Sequence, residues 1–519
     1  MILMQETPIT RGLVVRFLTV SIFIILSIAG VIFSGYMFIE ANSTYTFALA
    51  CAFLALSLFA GFFNTYASIS YFRSYYYDRY IERITAHLKP LKRMPSVAVA
   101  MAVFNEDAKL VEKNMLRLKQ LDYRKDRLQF YLLDDSSNKE TVKELSGFCS
   151  KNGIEFLHRD RRDGYKAGAL NNMMKSCKEE FIAVIDADEY LVNDRFLKDL
   201  LPYFDDKKLA YIQTEKRASR GSFFSDAVDL FDAFFFKFIQ PHRALNNTAI
   251  FAGSCGVIRR SSLEEIGGFP EYVIEDTFFS LESDLHNFKS LYVPKVYALG
   301  KPMNNYSSLV KQQWRYNYGD TQFIKYFMRR SAESKKLSPW SAIDYYGHGF
   351  GLNYLSIVLI MFTVLSVFVS FSTIPFAHMT IKQVFNATYI SRYIEIFGGA
   401  AFVLSIIAPV ILTKVYFGSV RKGFMIFVLN FALAVSRAKA AWAAILGKDP
   451  IWRPVRVSPG SKHSLIYAMA NTKMEMALAG SLLSLGFISL ITSNVAGWIW
   501  LSTYGVLYLF ATVLLYKYG

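Results

Sequence analysis

The 519-residue chain carries 58 Lys and Arg against 42 Asp and Glu, a formal net charge of +16, and is 53% hydrophobic and only 19% charged. Soluble chains carry about 25% charged residues, so these values exclude a disordered chain, a small disulfide scaffold and a purely soluble enzyme. They indicate an integral membrane protein of several structural units that keeps one water-soluble part.

In chain order, residues 17–38 supply 22 positions without a charge, and 44–72 form a second apolar run. Each is long enough for a membrane-crossing helix of about 20 residues. Glu40, Asn42 and Ser43 lie in the short connection, which predicts a helical hairpin. The opening run is too long for a cleaved signal and lacks a clear small-residue cleavage site. Residues 73–95 hold six basic side chains against two acidic ones, and 421–463 hold eight against Asp449 alone. Both blocks flank hydrophobic runs, the pattern of cytoplasmic loops beside anionic lipid rather than of a nucleic-acid surface.

From 95 to about 330 charges appear throughout, and short apolar runs at 96–104, 128–133 and 181–185 alternate with helix-like segments. Such continuous runs predict βαβ units and a parallel sheet covered on both faces. The membrane texture returns beyond Gly349, with spans expected near 350–373 and at 396–413. Residues 423–436 give only 14 positions between cationic flanks, which predicts an interfacial helix. The 41 charge-free residues 476–516 would make a helix of about 60 Å, so they must fold back, at Thr492-Ser493-Asn494. The expected architecture is a hairpin and basic linker at 1–94, an α/β domain at 95–330, and interfacial helices with about four spans at 331–519. Six spans and the basic blocks put the soluble domain and both termini on the cytoplasmic side of a multi-pass cell-membrane protein.

The four cysteines, Cys51, Cys149, Cys177 and Cys255, form no CxxC pair, which argues against a disulfide framework or zinc site. His158, His242 and His286 are scattered, and Arg159, Arg161 and Arg162 read as a solvated turn.

Ligands of an open α/β sheet bind beyond the carboxyl ends of its strands. The three predicted strands end at Asn105-Glu106, at Asp134-Asp135-Ser136-Ser137 and at Asp186-Ala187-Asp188. The carboxylates of Asp186 and Asp188, at i and i+2, can share a hard divalent cation that also takes substrate phosphate oxygens. Between the second and third strands, the 163–171 segment DGYKAGALN offers glycines for close backbone approach and Lys166 to reach a phosphate.

The order VAVAMAVFNE, LLDDSS, DGYKAGALN and IDADE resembles family 2 glycosyltransferases of the GT-A fold, which use nucleotide sugars. It continues through the 253–260 segment GSCGVIRR, Gly267-Gly268-Phe269, Ile274-Glu275-Asp276 and Gln312-Gln313-Trp314-Arg315-Tyr316. These look like the family's GS/GT…RR, TED and Q-x-x-R-W segments. With helices on both sides, the whole chain resembles the processive membrane synthases of cellulose, hyaluronan, chitin and poly-N-acetylglucosamine. Tyr316 stands where the family has Trp, and Ile274 where it often has Thr, so either Tyr316 or Trp314 is the ring on which a sugar stacks. The 455–460 segment VRVSPG, with Lys462, is a degenerate echo of the gating loop F-x-V-T-x-K.

The resemblance implies an inverting transfer from a UDP-sugar to the end of a β-linked glycan, with export through the membrane domain. It implies Mg2+ or Mn2+ on Asp186 and Asp188, uracil contacts from Asp134 or Asp135, and further donor contacts from Asn105, Glu106, Lys166, Asp186, Gln312 and Arg315. Gly253, Ser254, Trp314 and Tyr316 fall at the acceptor, and Asp276 is the general base with Glu275 and Arg315 beside it. The FAGSCGVIRR segment leans towards glucose. No counterpart of the C-terminal domain of bacterial cellulose synthases follows, so cyclic-dinucleotide control is not expected. Accessory export subunits are not legible. The alternatives are a single-sugar transferase to a membrane lipid, like ceramide glucosyltransferases, and a transporter with a nucleotide-sensing domain.

Overall fold

Two apolar helices open the chain, α1 (Pro8–Ile39) and α2 (Thr44–Ala86), and pack along each other. A computed structural model describes residues 8–39, 41–334, 337–371, 410–448, 464–492 and 494–519. Ser43 starts α2 with a reciprocal cap, accepting from the Thr46 amide at 3.2 Å while Thr46 Oγ1 accepts from the Ser43 amide at 3.0 Å. No glycine or proline interrupts 62–89, so α2 does not stop at the end of its apolar run. It continues through the basic linker for 43 residues, about 65 Å. Its far end is bolted to the next domain. The Tyr77 hydroxyl donates to Tyr292 O, Thr85 Oγ1 lies 2.6 Å from the Tyr203 hydroxyl, and Arg73 donates to Asn246 Oδ1 at 2.9 Å.

The sheet begins with β1 (Val97–Val103), followed by α3 (Ala108–Leu118), β2 (Leu128–Asp134), α4 (Lys139–Asn152), β3 (Glu155–His158), α5 (Tyr165–Met174) and β4 (Phe181–Val184). Side chains alternate across a strand, and VAVAMAV sorts by size accordingly. Val97, Val99, Met101 and Val103 face a core that includes Val111 and Met115 of α3 and Leu145 of α4. Ala98 and Ala100 face the other side, where α5 lays down Ala167, Ala169 and Leu170. Burying each of the larger side chains contributes about 1.5–3 kcal/mol.

Next come β5 (Glu189–Leu191), α6 (Phe196–Leu200), β6 (Leu209–Ala218), α7 (Phe223–Phe234), α8 (Gln240–Ala244), β7 (Gly256–Arg259), α9 (Arg260–Ile266), α10 (Glu275–Leu285) and β8 (Lys289–Gly300). A π-helical turn, Phe235–Ile239, joins α7 to α8. The spatial order is β3-β2-β1-β4-β7-β6-β8-β5. Only the first four strands form the expected all-parallel sheet; β7 runs antiparallel to both β4 and β6. The reason is the excursion through α7 and α8, which returns the chain to the sheet at the same end at which β6 left it. A four-residue apolar strand such as GVIR carries no sign of its direction.

Further helices include α11 (Tyr306–Ser334), α12 (Pro339–Ser370), α13 (Val420–Ile445), α14 (Leu465–Asn471), α15 (Lys473–Ile491) and α16 (Val495–Tyr518). Among the described residues, five stretches are long and apolar enough to cross a membrane: Val20–Ile39, Thr44–Ala86, Val420–Ile445, Lys473–Ile491 and Gly497–Tyr518. A sixth is counted if Pro339–Gly351 and Ser356–Ser370, bent by 56°, form one span. Of the span expected at 396–413, only the last four residues are described, as helix.

The 14-residue interfacial stretch expected at 423–436 becomes a 26-residue helix, α13, itself long enough to span. Arg437 does not act as a flank. It is 1% exposed, and its Nε and Nη2 donate to Gln313 Oε1 of α11 at 3.1 and 2.7 Å. The fold-back before α16 falls where the sequence places it. Asn494 accepts from the Gly497 amide at 2.8 Å and donates to Ser370 O at 2.7 Å. The segment at 452–462 lies outside the described residues.

Candidate active site

The loop after β1 is tied to the loop after β2 by one side chain. Asn105, held at φ +58°, accepts at Oδ1 from the amides of Ser137 (3.0 Å) and Asn138 (3.3 Å). Its own amide donates to Ser136 Oγ at 2.9 Å. A non-glycine residue in the left-handed region is strained, and such strain gathers at functional loops. Tyr165 (φ +51°) and Cys255 (φ +53°) share that conformation in two neighbouring loops. Glu106 turns back to the Phe104 amide, and its burial raises its carboxyl above the ordinary range.

Asp134 and Asp135 are both consumed internally. Asp134 is 0% exposed; its Oδ2 lies 2.7 Å from His158 Nδ1 and its Oδ1 accepts from the Ser136 amide at 3.3 Å. Asp135 receives a two-pronged contact from Arg159 Nε (2.8 Å) and Nη2 (2.6 Å), with Arg162 Nε at 3.8 Å. The arginine turn is therefore not solvated as a unit. The side chains of Arg159 and Arg162 are 15% and 20% exposed, against 85% for Arg161. Arg162 lies 3.6 Å over the Phe104 ring.

At the end of β4 the acidic pair behaves differently. Lys166 reaches Asp186 Oδ1, and Lys216 of β6 stands 3.7 Å from Oδ2. Burial opposes ionisation of Asp186, but these two ammonium groups outweigh it and hold the carboxyl well below its usual range. Asp188 is solvent-exposed, and among the described residues no lysine or arginine forms an ion pair with it. The protein around it, then the carboxylates of Asp186 and Glu189, push it up to about 7.

Lys166 also donates to Gly253 O at 2.9 Å. A Cβ on Gly253, whose φ is +80°, would stand 3.2 Å from Asp276 Oδ2 and 3.8 Å from Lys166 Nζ. The carboxylates at 186 and 276 thus face one another across a single lysine and a bare backbone. Asp276 and Glu275 occupy the first turn of α10, where the helix N-terminus favours acidic side chains. Burial nevertheless raises both carboxyls, and the neighbouring Asp276 carboxylate adds to the rise at Glu275.

Helix α11 closes the opposite side. Residues 312, 315, 316 and 319 share one face by helical periodicity. The Arg315 guanidinium lies 5.4 Å over the Tyr316 ring and is electrostatically coupled to Glu275 and Asp276. Among the described residues, the buried Arg315 Nε has no hydrogen-bond partner, an orphaned donor suited to an incoming anion. Gln312 is half-buried one turn earlier. Trp314 points the other way, stacked on Tyr318 at 5.2 Å and packed against Ala440, Ala443 and Ala444 of α13. Of the two candidate rings, Tyr316 faces the charged cluster.

Ser254 also departs from expectation. It is 0% exposed, accepts from Lys216 at 2.6 Å and donates to Glu189 Oε1 at 2.8 Å, so it props the site from within. Sequence reasoning missed Lys216, Glu189 and Asp320. Asp320 is a 5%-exposed carboxyl on α11, raised well above the usual range by burial and by Asp276. The available signal was charge inside otherwise apolar elements, such as Lys216 following LAYIQTE in β6.

Among the described residues, no group of three or more His, Cys, Asp or Glu side chains is placed to hold a metal ion. Asp186 and the crowded, unpaired Asp188 instead fit a cation held by one or two carboxylates with substrate oxygens completing its shell.

Residues 98–267 match the Glycosyl transferase family 2 profile, so a family 2 glycosyltransferase domain occupies this part of the chain. Its relatives include the cellulose synthase catalytic subunit [UDP-forming] of Pseudomonas fluorescens (strain SBW25), 32% identical over 239 residues, which cover 44% of this chain and 32% of that protein. Glucomannan 4-beta-mannosyltransferase 7 of Arabidopsis thaliana is 27% identical over 261 residues, 47% of this chain and 46% of that one. The matches thus span about a third to a half of these relatives. Among solved structures, the mannosyltransferase of Pyrobaculum calidifontis in complex with GDP-Man and Mn2+ aligns over 74% of this chain and 99% of its own. It does so at 15% identity and a TM-score of 0.47. Glu275, Asp276 and the Gln312–Tyr316 motif lie beyond the matched family segment.

Proposed function

We propose that the chain transfers a sugar from a UDP-sugar to the end of a growing β-linked glycan, at the cytoplasmic face of the membrane its apolar helices cross. The observation that carries this reading is the bridge by Lys166, from Asp186 to the Gly253 carbonyl, with Asp276 beside Gly253. On this reading Asp186 is the donor-side acid and Asp276 the acceptor-side acid, with Lys166 and Gly253 between them. UDP-forming cellulose synthase relatives support the donor and the polymeric product over a single-sugar lipid acceptor.

The donor's diphosphate lies between Lys166 and Arg315, whose orphaned Nε supplies a positive, preorganised donor for charge growing on the leaving phosphate. Mg2+ or Mn2+ held by Asp186 and Asp188 adds Lewis-acid stabilisation of that charge when bound. Asp135 with Arg159, and Asn105 with Ser136, form the rigid wall on the nucleoside side, and Asp134 braces it from below. Gly253 lets the acceptor's terminal sugar approach the backbone, and Tyr316 gives that sugar a ring to lie on. Asp276 takes the proton from the attacking hydroxyl, and attack opposite the departing UDP inverts the anomeric carbon to give a β linkage. The 95–330 segment does this chemistry, and the flanking helices anchor it and pass the polymer outward.

Purified protein offered UDP-glucose and other UDP-sugars with Mg2+ or Mn2+ should release UDP and lengthen a β-glycan that linkage-specific glycosidases digest. Asp276→Asn should lower the rate by about 10²–10⁴-fold. Near-native transfer by that variant removes the base assignment. A single-sugar glycolipid as sole product removes processivity.

A further inference from the structure

Two lysines serve one carboxylate, and they are anchored in opposite ways. Lys216 donates to Ser254 Oγ at 2.6 Å and Ala252 O at 3.2 Å, and stands 3.3 Å from Glu189 Oε1. These partners are themselves fixed. Glu189 is 4% exposed, accepts from Ser254 at 2.8 Å, and takes the Asp186 amide at 3.0 Å and Cys255 Sγ at 3.2 Å on its other oxygen. Lys216 therefore cannot leave without unpicking the turn after β4 and the loop before β7 together. Lys166 has two acceptors, the Asp186 carboxylate and the Gly253 carbonyl. It sits in the first turn of α5, behind Gly164 and Tyr165 at φ +69° and +51°.

Resting on the functional reading above, we infer that Lys216 is the resident counter-charge of Asp186, and that Lys166 is the cation released to the donor's diphosphate. A nucleoside diphosphate competes for Lys166 with a half-buried carboxylate that would otherwise be left without a cation, and removing one partner of a desolvated ion pair is costly. Lys216, 3.7 Å from the second oxygen of Asp186, removes that obstacle in advance. Lys216 is a positioning residue: its hydrogen bonds point inward to Ser254 and Ala252, and its effect on the donor runs through Asp186 and Lys166. In the absence of Lys216, Lys166 is retained by Asp186 and the donor loses a ligand.

The test is equilibrium binding of UDP to the full-length protein in detergent, by calorimetry, without metal and then with Mg2+ or Mn2+. Lys216→Met should weaken metal-free UDP binding by about tenfold or more, within the usual range of a coupling between sites. It should also raise the donor KM more than it lowers kcat, and Lys216→Arg should recover most of the loss. In a Lys166→Met background the same change should add almost nothing, because the released group is already gone. Lys216→Met/Glu189→Gln, which leaves no orphaned carboxylate, serves as the folded comparison if the single variant unfolds.

Unchanged UDP affinity in a folded Lys216 variant overturns the inference, as do independent, additive losses from the two lysines, and either leaves the functional reading standing. Wild-type protein that binds no UDP at all overturns the functional reading, and the inference with it.

Discussion

The acidic pairs after β2 and after β4 look alike in sequence, yet the structure spends them differently. Asp134 and Asp135 are enclosed, each carboxylate satisfied by His158 or Arg159. Asp186 shares two lysines, while Asp188 is left open among like charges. A carboxylate with all its partners supplied by the chain stiffens a loop. One left short of partners is poised for something that arrives from solution.

The sharpest way to break this contrast is to neutralise one member of each pair. Asp188→Asn should reduce transfer by about a thousandfold, several kcal/mol at roughly 1.4 kcal/mol per tenfold, with an unchanged unfolding temperature. Asp135→Ala should act chiefly on stability, with a smaller loss of transfer through the loosened nucleoside wall. Stripping a largely buried arginine of its partner costs about 3 kcal/mol, seen as a lowered apparent unfolding temperature. Equal effects of both changes on both measurements would erase the distinction.

A third acidic pair, Glu275 and Asp276, allows a pH test. Burial lifts Glu275 to about 7, against about 4.3 in an unfolded chain. The folded state therefore binds a proton more tightly, and the associated stability is present at low pH and lost as pH rises through about 7. Transfer needs the ionised base. Burial raises the Asp276 base as well, so lowering the pH from 8 to 6 should lower kcat/KM while raising the unfolding temperature, and Glu275→Gln should flatten the stability change. The smallest effect is expected at Arg161→Ala, within about 0.5 kcal/mol, since its side chain is 85% exposed. A larger loss there would show that Arg161 acts together with Arg159 and Arg162 rather than as a solvated side chain.

Three strands of the parallel half, β1, β2 and β4, were legible because each is a short apolar run ended by polar residues, and those ends are where the site gathers; β3, with Glu155 and His158 at its ends, was not. Lys216 and Glu189 were not, because a charge inside a strand or after a DAD motif looks the same whether it faces water or a buried partner. Arg159 was misread for a related reason: its partner Asp135 is 24 residues away, and local composition suggested only a charged turn. The direction of β7 depends on the end of the sheet to which the α7–α8 excursion returns the chain, which local sequence does not record. Trp314 and Tyr316 could be separated only by knowing which face of α11 meets α13.

Helix α2 has a consequence of phase. It runs unbroken for 43 residues from the apolar hairpin to contacts with Tyr203, Asn246 and Tyr292. One residue added between 62 and 72 would turn everything on its amino side by about 100° and displace it by about 1.5 Å, swinging the hairpin out of line with the sheet. Seven residues, close to two full turns, would restore the azimuth and leave only a longer strut.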